Sequence, residues 1–201
     1  MTTRLLQATL LGLIGGFLFT GCAKKSPNYS DLPAFVGDTL TAVIEIPAGT
    51  NHKIEYNYSS NTFEVEQVEG TDRIVRFLPY PGNYGFIPGT FMDPLDGGDG
   101  DALDVLVLSE NVPTGTIIHI VPIGMLLMVD DGEKDYKVIA VPVDVSQSPL
   151  KATQLDDLTY EMRTIIELWF KNYKRNSQVE ITGWQSEAAA LEEIKKWQAG
   201  K

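Results

Sequence analysis

Carboxylates crowd into residues 91–108, which read FMDPLDGGDGDALDVLVL. Two carboxylates about 4 Å apart repel by roughly 4 kcal/mol at an effective dielectric near 20, so such clustering is unfavourable unless protons, water or cations separate them. Glycines between the aspartates allow tight turns, and the apolar run at 105–108 predicts a buried strand. Hard oxygen ligands where a loop enters a strand suit Mg²⁺, which takes one or two carboxylates per ion. The candidate ligands are Asp99, Asp101 and Asp104.

The same stretch has a simpler interpretation as an acidic, glycine-rich loop on the surface, and composition alone favours it. A calcium loop of the EF-hand kind is excluded by spacing. Leu103 stands at the third ligand position after Asp99 and Asp101, and no glutamate closes the loop.

The run Asp99-Gly-Asp101-Ala-Leu-Asp104-Val resembles the signature of soluble family I inorganic pyrophosphatases. Other stretches match in the same order over nearly all of residues 40–197: VIEIP (43–47), KIE (53–55), YPGNYGFIP (80–88), DDGEKDYK (130–137) and NYK (172–174). The resemblance implies an enzyme that splits pyrophosphate into two orthophosphates with several Mg²⁺ ions, or with Mn²⁺ in their place. It also implies a homo-oligomer, since bacterial members of the family commonly form hexamers.

The resemblance assigns a role to each matching residue. Asp101 is the general base that accepts a proton from the attacking water. The metal ligands are Asp99, Asp104, Asp135, Asp130 and Glu45. The phosphate groups are bound by Lys53, Arg73, Tyr84, Lys137, Tyr173 and Lys174, with Glu55 and Tyr80 in support. Arg76 is the alternative to Arg73, because the spacing from Arg73 to Pro81 is one residue shorter than in the family pattern.

Each of these residues also has an ordinary structural interpretation. Lys53 and Glu55 lie two apart in an alternating strand, so they share a face and fit an exposed ion pair. Charges at 130–137 fit the solvated end of a hairpin, and Tyr173 fits the edge of a core. Two further functions stay open: a cation-binding protein without catalysis, and a phosphatase for nucleotides or polyphosphate.

The charge balance restricts the partners. Sixteen basic and twenty-seven acidic residues give a formal charge of −11, which argues against nucleic acid as a partner. A polyanionic substrate is repelled by the same charge, so it needs metal ions or a local basic cluster. The length of 201 residues suffices for one domain with a sizeable core.

The N-terminus predicts export. Arg4 precedes a mostly apolar run at 5–19, which is too short to span a membrane, and Thr20-Gly21-Cys22 resembles the lipobox of bacterial lipoproteins. We therefore expect a signal peptide at 1–21, a lipid on Cys22, a polar tether at 22–38 and a pyrophosphatase domain at 39–201. The expected location is the bacterial cell envelope, periplasmic or outer-membrane associated. An uncleaved anchor and a simple secretory signal are the alternatives.

Hydrophobic periodicity predicts a mainly β, α+β fold. We expect strands at 40–46, 53–58, 63–68 and 74–77, two strands with a bend within 116–129, and a returning strand at 136–143 after the turn at Asp131-Gly132. Amphipathic helices are expected at 155–173 and 186–197. With the resemblance, these elements indicate an OB-like, five-stranded β-barrel with two flanking α-helices.

Overall fold

The computed structural model describes residues 27–174 and 178–198. The predicted signal peptide and the predicted lipidation site at Cys22 therefore lie outside the described residues. Within the described part, no helix is long and apolar enough to cross a membrane.

The described residues form twelve strands, and the two helices lie near the C-terminal end on either side of the last strand. The strands in chain order are β1 (Phe35–Val36), β2 (Thr39–Ile46), β3 (Ile54–Asn57), β4 (Thr62–Val65), β5 (Gln67–Val68), β6 (Thr71–Asp72), β7 (Asn83–Phe86), β8 (Asp104–Val107), β9 (Ile117–Asp130), β10 (Glu133–Lys134), β11 (Lys137–Pro142) and β12 (Val179–Ser186). The helices are α1 (Tyr160–Asn172) and α2 (Glu187–Gln198).

Five strands form a closed circuit of pairings. The order is β2, β7, β8, β11 and β9, and β9 pairs again with β2. The β8–β11 pairing is parallel, and the other pairings in the circuit are antiparallel. Strands β1, β10 and β12 extend the sheet beyond the circuit. The predicted mainly β fold of the OB-like class, with two flanking helices, is confirmed.

The close pairing of β2 and β7 depends on a glycine. A Cβ on Gly85 would come within 1.9 Å of the Val43 carbonyl oxygen, so no larger residue fits there. Asn83, at the start of β7, is fully buried. Its side chain accepts the N–H groups of Ala48 and Val112 and donates to Ser109 Oγ and the Glu110 carbonyl. The strand that carries Tyr84 is therefore held on both sides.

Strand β9 corrects one expectation. It is a single strand of 14 residues, where the sequence predicted two strands with a bend. On one edge it pairs with β2 as far as Ile120 and with β12 from Gly124 onward. Pro122 lies between these two partners, where its missing N–H leaves no ladder bond unmade on that edge. A register shift in the pairing with β11 at the same place accommodates the bend without ending the strand.

Three further boundaries differ from the expectations. Residues 74–77 form no strand, and Ile74 makes only an isolated bridge with His52. The first helix begins at Tyr160, because Thr159 caps it by accepting the Met162 N–H at 3.3 Å, and Leu155–Asp157 form a separate 3₁₀ turn. The second helix is confirmed. Strand β12 was not predicted.

The described end of the predicted tether packs on the domain. Residues Tyr29–Asp31 form a 3₁₀ turn, and the Tyr29 ring is buried against Tyr56 and Phe63. Strand β1 then pairs with β2. A free tether would thus end near residue 28 rather than at residue 38.

Candidate active site

A cleft of about 220 Å³ is lined by residues of β2, β3, β7 and β8 and of the adjoining loops. It gathers charged side chains from β2, from the segment around β3, from the acidic loop and from β8. The predicted residues that line it are Glu45, Lys53, Glu55, Asp99, Asp101 and Asp104. The structure thus brings together acidic residues that the sequence separates by up to 59 positions.

A buried lysine connects this cleft to the β9–β11 hairpin. Lys137 is 1% exposed, and its ammonium donates to Asp104 on β8 and to Asp135 beside β10. The Tyr84 hydroxyl donates to the same Asp104 Oδ2 at 2.5 Å. Because β8 and β11 pair in parallel with Asp104 opposite Lys137, the sheet register itself places these groups side by side. The Lys137 ammonium therefore links Asp135 to Asp104, the residue at which the acidic loop enters β8.

The charges of this cluster depend on each other. Burial alone would lower the pKa of Lys137, but the carboxylates of Asp104 and Asp135 raise it above its usual value. Burial raises the pKa of Asp135 to about 6, with Lys137 opposing the shift and Asp104 adding to it. Removal of one partner from such a buried group leaves an uncompensated charge.

Glu45 occupies the most enclosed acidic position in the cleft. Its Oε1 accepts the backbone N–H of Tyr56 at 2.7 Å, a bond between β2 and β3. Burial raises the pKa of Glu45 to about 8, although the neighbouring Lys53 opposes the shift. The side chain therefore holds a proton near neutral pH unless a cation comes close to it.

The acidic loop presents two carboxylates to the cleft. The Asp101 N–H donates to Asp99 Oδ1 at 3.0 Å, which orients the Asp99 side chain. Burial raises the pKa of both aspartates, and Asp104 adds to the shift at each. The loop turns at Gly97 and Gly100, which have φ values of 81° and 88° that suit glycine.

Lys53 and Arg73 lie on the side of the cleft that carries the hairpin formed by β3 and β4. Lys53 Nζ lies 2.9 Å from Glu55 Oε1, as the alternation predicted, and 5.9 Å from the centre of the Tyr84 ring. Arg73 pairs with Glu66 at 2.6 Å, and its carbonyl accepts the Lys53 N–H at 3.0 Å. Arg73 is thus adjacent to Lys53 but outside the cleft lining, whereas Arg76 is exposed with no described ion pair.

The end of α1 lies beside Lys137, whose ammonium is 5.9 Å from the centre of the Phe170 ring. Tyr173 stacks on Trp169 with ring centres 4.9 Å apart, and Lys174 pairs with Asp130 at the end of β9. Tyr80 packs between Tyr84 and Trp169. Burial raises the pKa of Tyr80 to about 12 and also raises those of Tyr84 and Tyr173. All three hydroxyls therefore keep their protons at neutral pH.

Three contributors to the site were missed in the sequence. Tyr58 and Phe86 line the cleft, and the Tyr56 backbone holds Glu45. Tyr58 follows the KIE motif by three residues and Phe86 lies within YPGNYGFIP, which was the available signal for them. A backbone N–H that binds a side chain eleven residues away leaves no trace in composition or periodicity.

The donor set fits Mg²⁺. In residues 27–174 and 178–198, no three His, Cys, Asp or Glu side chains lie close enough to hold one ion directly. Mg²⁺ needs no such cage, since it is bound by one or two carboxylates and keeps several water or phosphate ligands. All the acidic groups of the cleft offer oxygen, and the buried Oδ1 of Asp130 has no hydrogen-bond partner among the described residues.

Carboxylate oxygens gathered beside buried lysine side chains are the combination of groups that metal-assisted phosphoryl transfer uses, so the site fits the class of phosphate-processing hydrolases. Comparisons with known proteins narrow the class. A sequence model described as inorganic pyrophosphatase matches residues 42–200. The chain belongs to the inorganic pyrophosphatase family.

Relatives cover nearly the whole described domain. The inorganic pyrophosphatase of Saccharolobus solfataricus is 42% identical over 183 residues, spanning 88% of this chain and 94% of that protein. The inorganic pyrophosphatase of Neisseria meningitidis is 37% identical over 169 residues, 80% of this chain and 90% of its own. The crystal structure of the inorganic pyrophosphatase from Thermus thermophilus superposes with a TM-score of 0.75 at 31% identity, over 86% of this chain and 98% of that one.

Proposed function

We propose that this chain, an inorganic diphosphatase, hydrolyses pyrophosphate to two orthophosphates with Mg²⁺ and with Asp101 as general base. One observation carries the proposal. Carboxylates from β2, the acidic loop and β8 line one cleft, Lys137 joins Asp135 of the β9–β11 hairpin to Asp104 in that lining, and the Tyr84 hydroxyl donates to the same Asp104. Phosphoryl transfer requires this combination of positioning and charge neutralisation more than covalent chemistry.

The proposed metal ligands are Asp99, Asp104, Asp135, Asp130 and Glu45. Bound there, Mg²⁺ would neutralise phosphate oxygens and make a coordinated water acidic enough to attack. The raised pKa values of Glu45, Asp99 and Asp135 support the assignment, because burial is their main cause and a desolvated carboxylate is stabilised by a cation bound beside it. Mn²⁺ prefers similar oxygen ligands, so it is the expected substitute.

Of the proposed phosphate ligands, Lys53 lines the cleft, and Lys137 and Tyr84 bind Asp104 in its wall. Lys53 and Lys137 supply ammonium groups, and Tyr84 supplies a protonated hydroxyl. Tyr173 and Lys174 reach from the end of α1, and Arg73 would turn from Glu66 to bind substrate, since its planar guanidinium can hold two phosphate oxygens. Glu55 and Tyr80 orient Lys53 and Tyr84.

Asp101 is suited to accept the proton. It lines the cleft, and it has neither an ion pair nor a side-chain hydrogen bond among the described residues. Its carboxylate is thus available to a water molecule. The raised pKa of Asp101 brings it closer to the working pH, which favours a general base.

The test is phosphate release by Asp101→Asn in excess Mg²⁺. We expect a loss of about 10²- to 10⁴-fold with unchanged thermal unfolding, whereas Asp38→Asn, an exposed aspartate, keeps wild-type activity. Chelation of Mg²⁺ should abolish activity, and its return should restore it. Full turnover in either case contradicts the mechanism. Faster release from a nucleoside triphosphate or polyphosphate than from pyrophosphate would assign another substrate, and metal binding without turnover would indicate a non-catalytic protein.

We also propose that the chain is a lipoprotein of the bacterial cell envelope, anchored through Cys22. The support is the basic start, the short apolar run and the small residues before the cysteine. Incorporation of labelled fatty acid by the wild type but not by Cys22→Ser would test it. A homo-oligomer, a hexamer by family resemblance, is likewise proposed, and sedimentation of the purified domain would measure its mass.

A further inference from the structure

The hairpin formed by β3 and β4 is not part of the main sheet. Its two strands pair only with each other in the described chain. Nevertheless it carries Glu55, follows directly on Lys53 and supplies the backbone N–H that holds Glu45. Its position therefore depends on side-chain packing and on a few loop hydrogen bonds, and not on a continuous ladder.

A segment ahead of the barrel supplies much of that packing. We define the N-terminal segment as residues 28–32. Its Tyr29 is 6% exposed and meets Tyr56 and Phe63 edge-on, with ring centres 5.5 Å and 5.0 Å apart. Asn28 Oδ1 accepts the Tyr56 hydroxyl at 3.0 Å. Tyr56 belongs to β3 and Phe63 to β4, so the segment contacts both arms of the hairpin.

The same tyrosine is tied to the barrel. Its hydroxyl donates to the Gly115 carbonyl at 3.1 Å, and the Gly115 N–H donates to Ile44 on β2 at 2.7 Å. Space around this contact is tight, since a Cβ on Gly115 would lie 2.8 Å from the Tyr29 oxygen. Tyr29 thus lies between the hairpin and the strand that carries Glu45.

We propose that Tyr29 is a positioning residue for substrate binding: it fixes the β3–β4 hairpin, and with it Lys53 and Glu55, against the barrel. The proposal rests on the proposed function for its kinetic consequence. Asp101, Asp104 and Lys137 are held by the acidic loop and the barrel strands, so they should be unaffected by Tyr29. Loss of the ring should therefore weaken binding of pyrophosphate much more than it slows turnover of bound substrate.

The experiment compares Tyr29→Ala and Tyr29→Phe in the full-length chain at saturating Mg²⁺, well below the unfolding temperature. For Tyr29→Ala we expect KM for pyrophosphate to rise about tenfold and kcat to change less than twofold. Tyr29→Phe keeps both ring contacts but loses the bond to the Gly115 carbonyl, so its KM should rise by only about twofold to fourfold, less than in Tyr29→Ala. Tyr160→Ala, at a tyrosine 73% exposed on α1, is the matched control and should change neither constant.

Amide hydrogen exchange measures independently how firmly the β3–β4 hairpin is held. Amides of residues 53–65 should exchange at least tenfold faster in Tyr29→Ala, whereas those of β8 and β11 should keep their rates. Wild-type KM and wild-type exchange in this variant, with only a lower unfolding temperature, would overturn the proposal. If Tyr29→Ala does not fold, Tyr29→Leu takes its place with the same expectations. A wild-type chain without pyrophosphatase activity would contradict the proposed function, and the exchange rates would still decide the role of Tyr29.

Discussion

The two sides of the cleft are built differently. On the barrel side, Tyr84, Asp104 and Lys137 lie on paired strands with their polar atoms bound to one another, Tyr84 and Lys137 buried and Asp104 partly buried. On the hairpin side, Lys53 and Glu55 lie outside the main sheet, and Glu55 is about half exposed. Backbone ladders thus fix the first group, whereas packing by Tyr29 and its neighbours fixes the second.

The difference indicates that the barrel side contributes mainly to the stability of the site and the hairpin side mainly to substrate binding. Removing a buried cation from between two carboxylates strongly destabilises a fold. Substitutions on the barrel side should therefore lower the stability of the folded site. An ion pair near solvent contributes less than about 1 kcal/mol, so the hairpin side can change its contacts when substrate arrives. Substitutions on the two sides should accordingly separate effects on stability from effects on binding.

The largest effect is expected from Lys137→Met. The change leaves Asp104 and Asp135 without their shared cation in a buried environment, so the free energy of unfolding should fall by about 3–5 kcal/mol. Urea unfolding at pH 7 measures it. Lys171→Met, at an exposed lysine on α1, should cost less than about 0.5 kcal/mol. A loss for Lys137→Met as small as that of the control would remove the contrast between the two sides.

The second prediction concerns the hairpin side. Lys53→Met should raise KM for pyrophosphate about tenfold to hundredfold, because a hydrogen bond to a charged phosphate is worth roughly 1.5–3 kcal/mol. Its unfolding free energy should change by less than about 1 kcal/mol, since the ion pair with Glu55 is partly exposed. Steady-state kinetics and urea unfolding on one preparation test both parts. A large loss of stability would place Lys53 with the barrel side.

The third prediction is a pH dependence of stability without metal. The folded chain keeps a proton on Glu45 up to about pH 8, whereas the unfolded chain loses it near 4.5. The folded state binds more protons in this window, so Glu45 makes stability fall as pH rises, by at most roughly 1.4 kcal/mol per unit. In urea unfolding with EDTA at pH 5, 6, 7 and 8, Glu45→Gln should gain stability relative to wild type as pH increases. A constant difference between the two would contradict the shift.

The smallest effect is expected where the two carboxylate-bearing segments meet. The Lys134 N–H donates to the Gly97 carbonyl at 2.9 Å, and its ammonium donates to the Asp96 carbonyl at 2.8 Å. Lys134→Met loses the second bond, so the Mg²⁺ concentration for half-maximal activity should rise about threefold to tenfold with kcat unchanged. Calorimetric Mg²⁺ titration without substrate should show the same shift, and Lys151→Met, at an exposed lysine, should not.

Local spacing predicted the local geometry of the site. Alternation placed Lys53 and Glu55 on one face, as their ion pair shows. That site residues from separate segments would meet in one cleft was predicted only from the family resemblance. Hydrophobic periodicity shows where strands lie but not which strands pair. The OB-like architecture was predicted in the same way.

The errors have physical causes. Leu155 and Leu158 fit a helical period, but they lie ahead of the capping residue Thr159 and belong to a 3₁₀ turn and the residue after it. The two strands predicted within 116–129 are the single strand β9. Pro122 lies between the residues of β9 that pair with β2 and those that pair with β12, so its missing N–H breaks no hydrogen bond on that edge. Tyr29 lies in a polar stretch, so its burial against two distant aromatic rings could not be inferred from its neighbours in sequence.

The packing of Tyr29 limits how far the domain can stand from a lipid bilayer. If Cys22 carries a lipid, only residues 23–28 separate the two. A fully extended chain covers about 3.5 Å per residue, so Tyr29 would lie within roughly 20 Å of the headgroups. The Debye length at physiological salt is about 8 Å, so an anionic bilayer would repel pyrophosphate and enrich divalent cations within the nearer part of this distance. The charge of the lipid headgroups would then affect the local concentrations of both pyrophosphate and its metal ions.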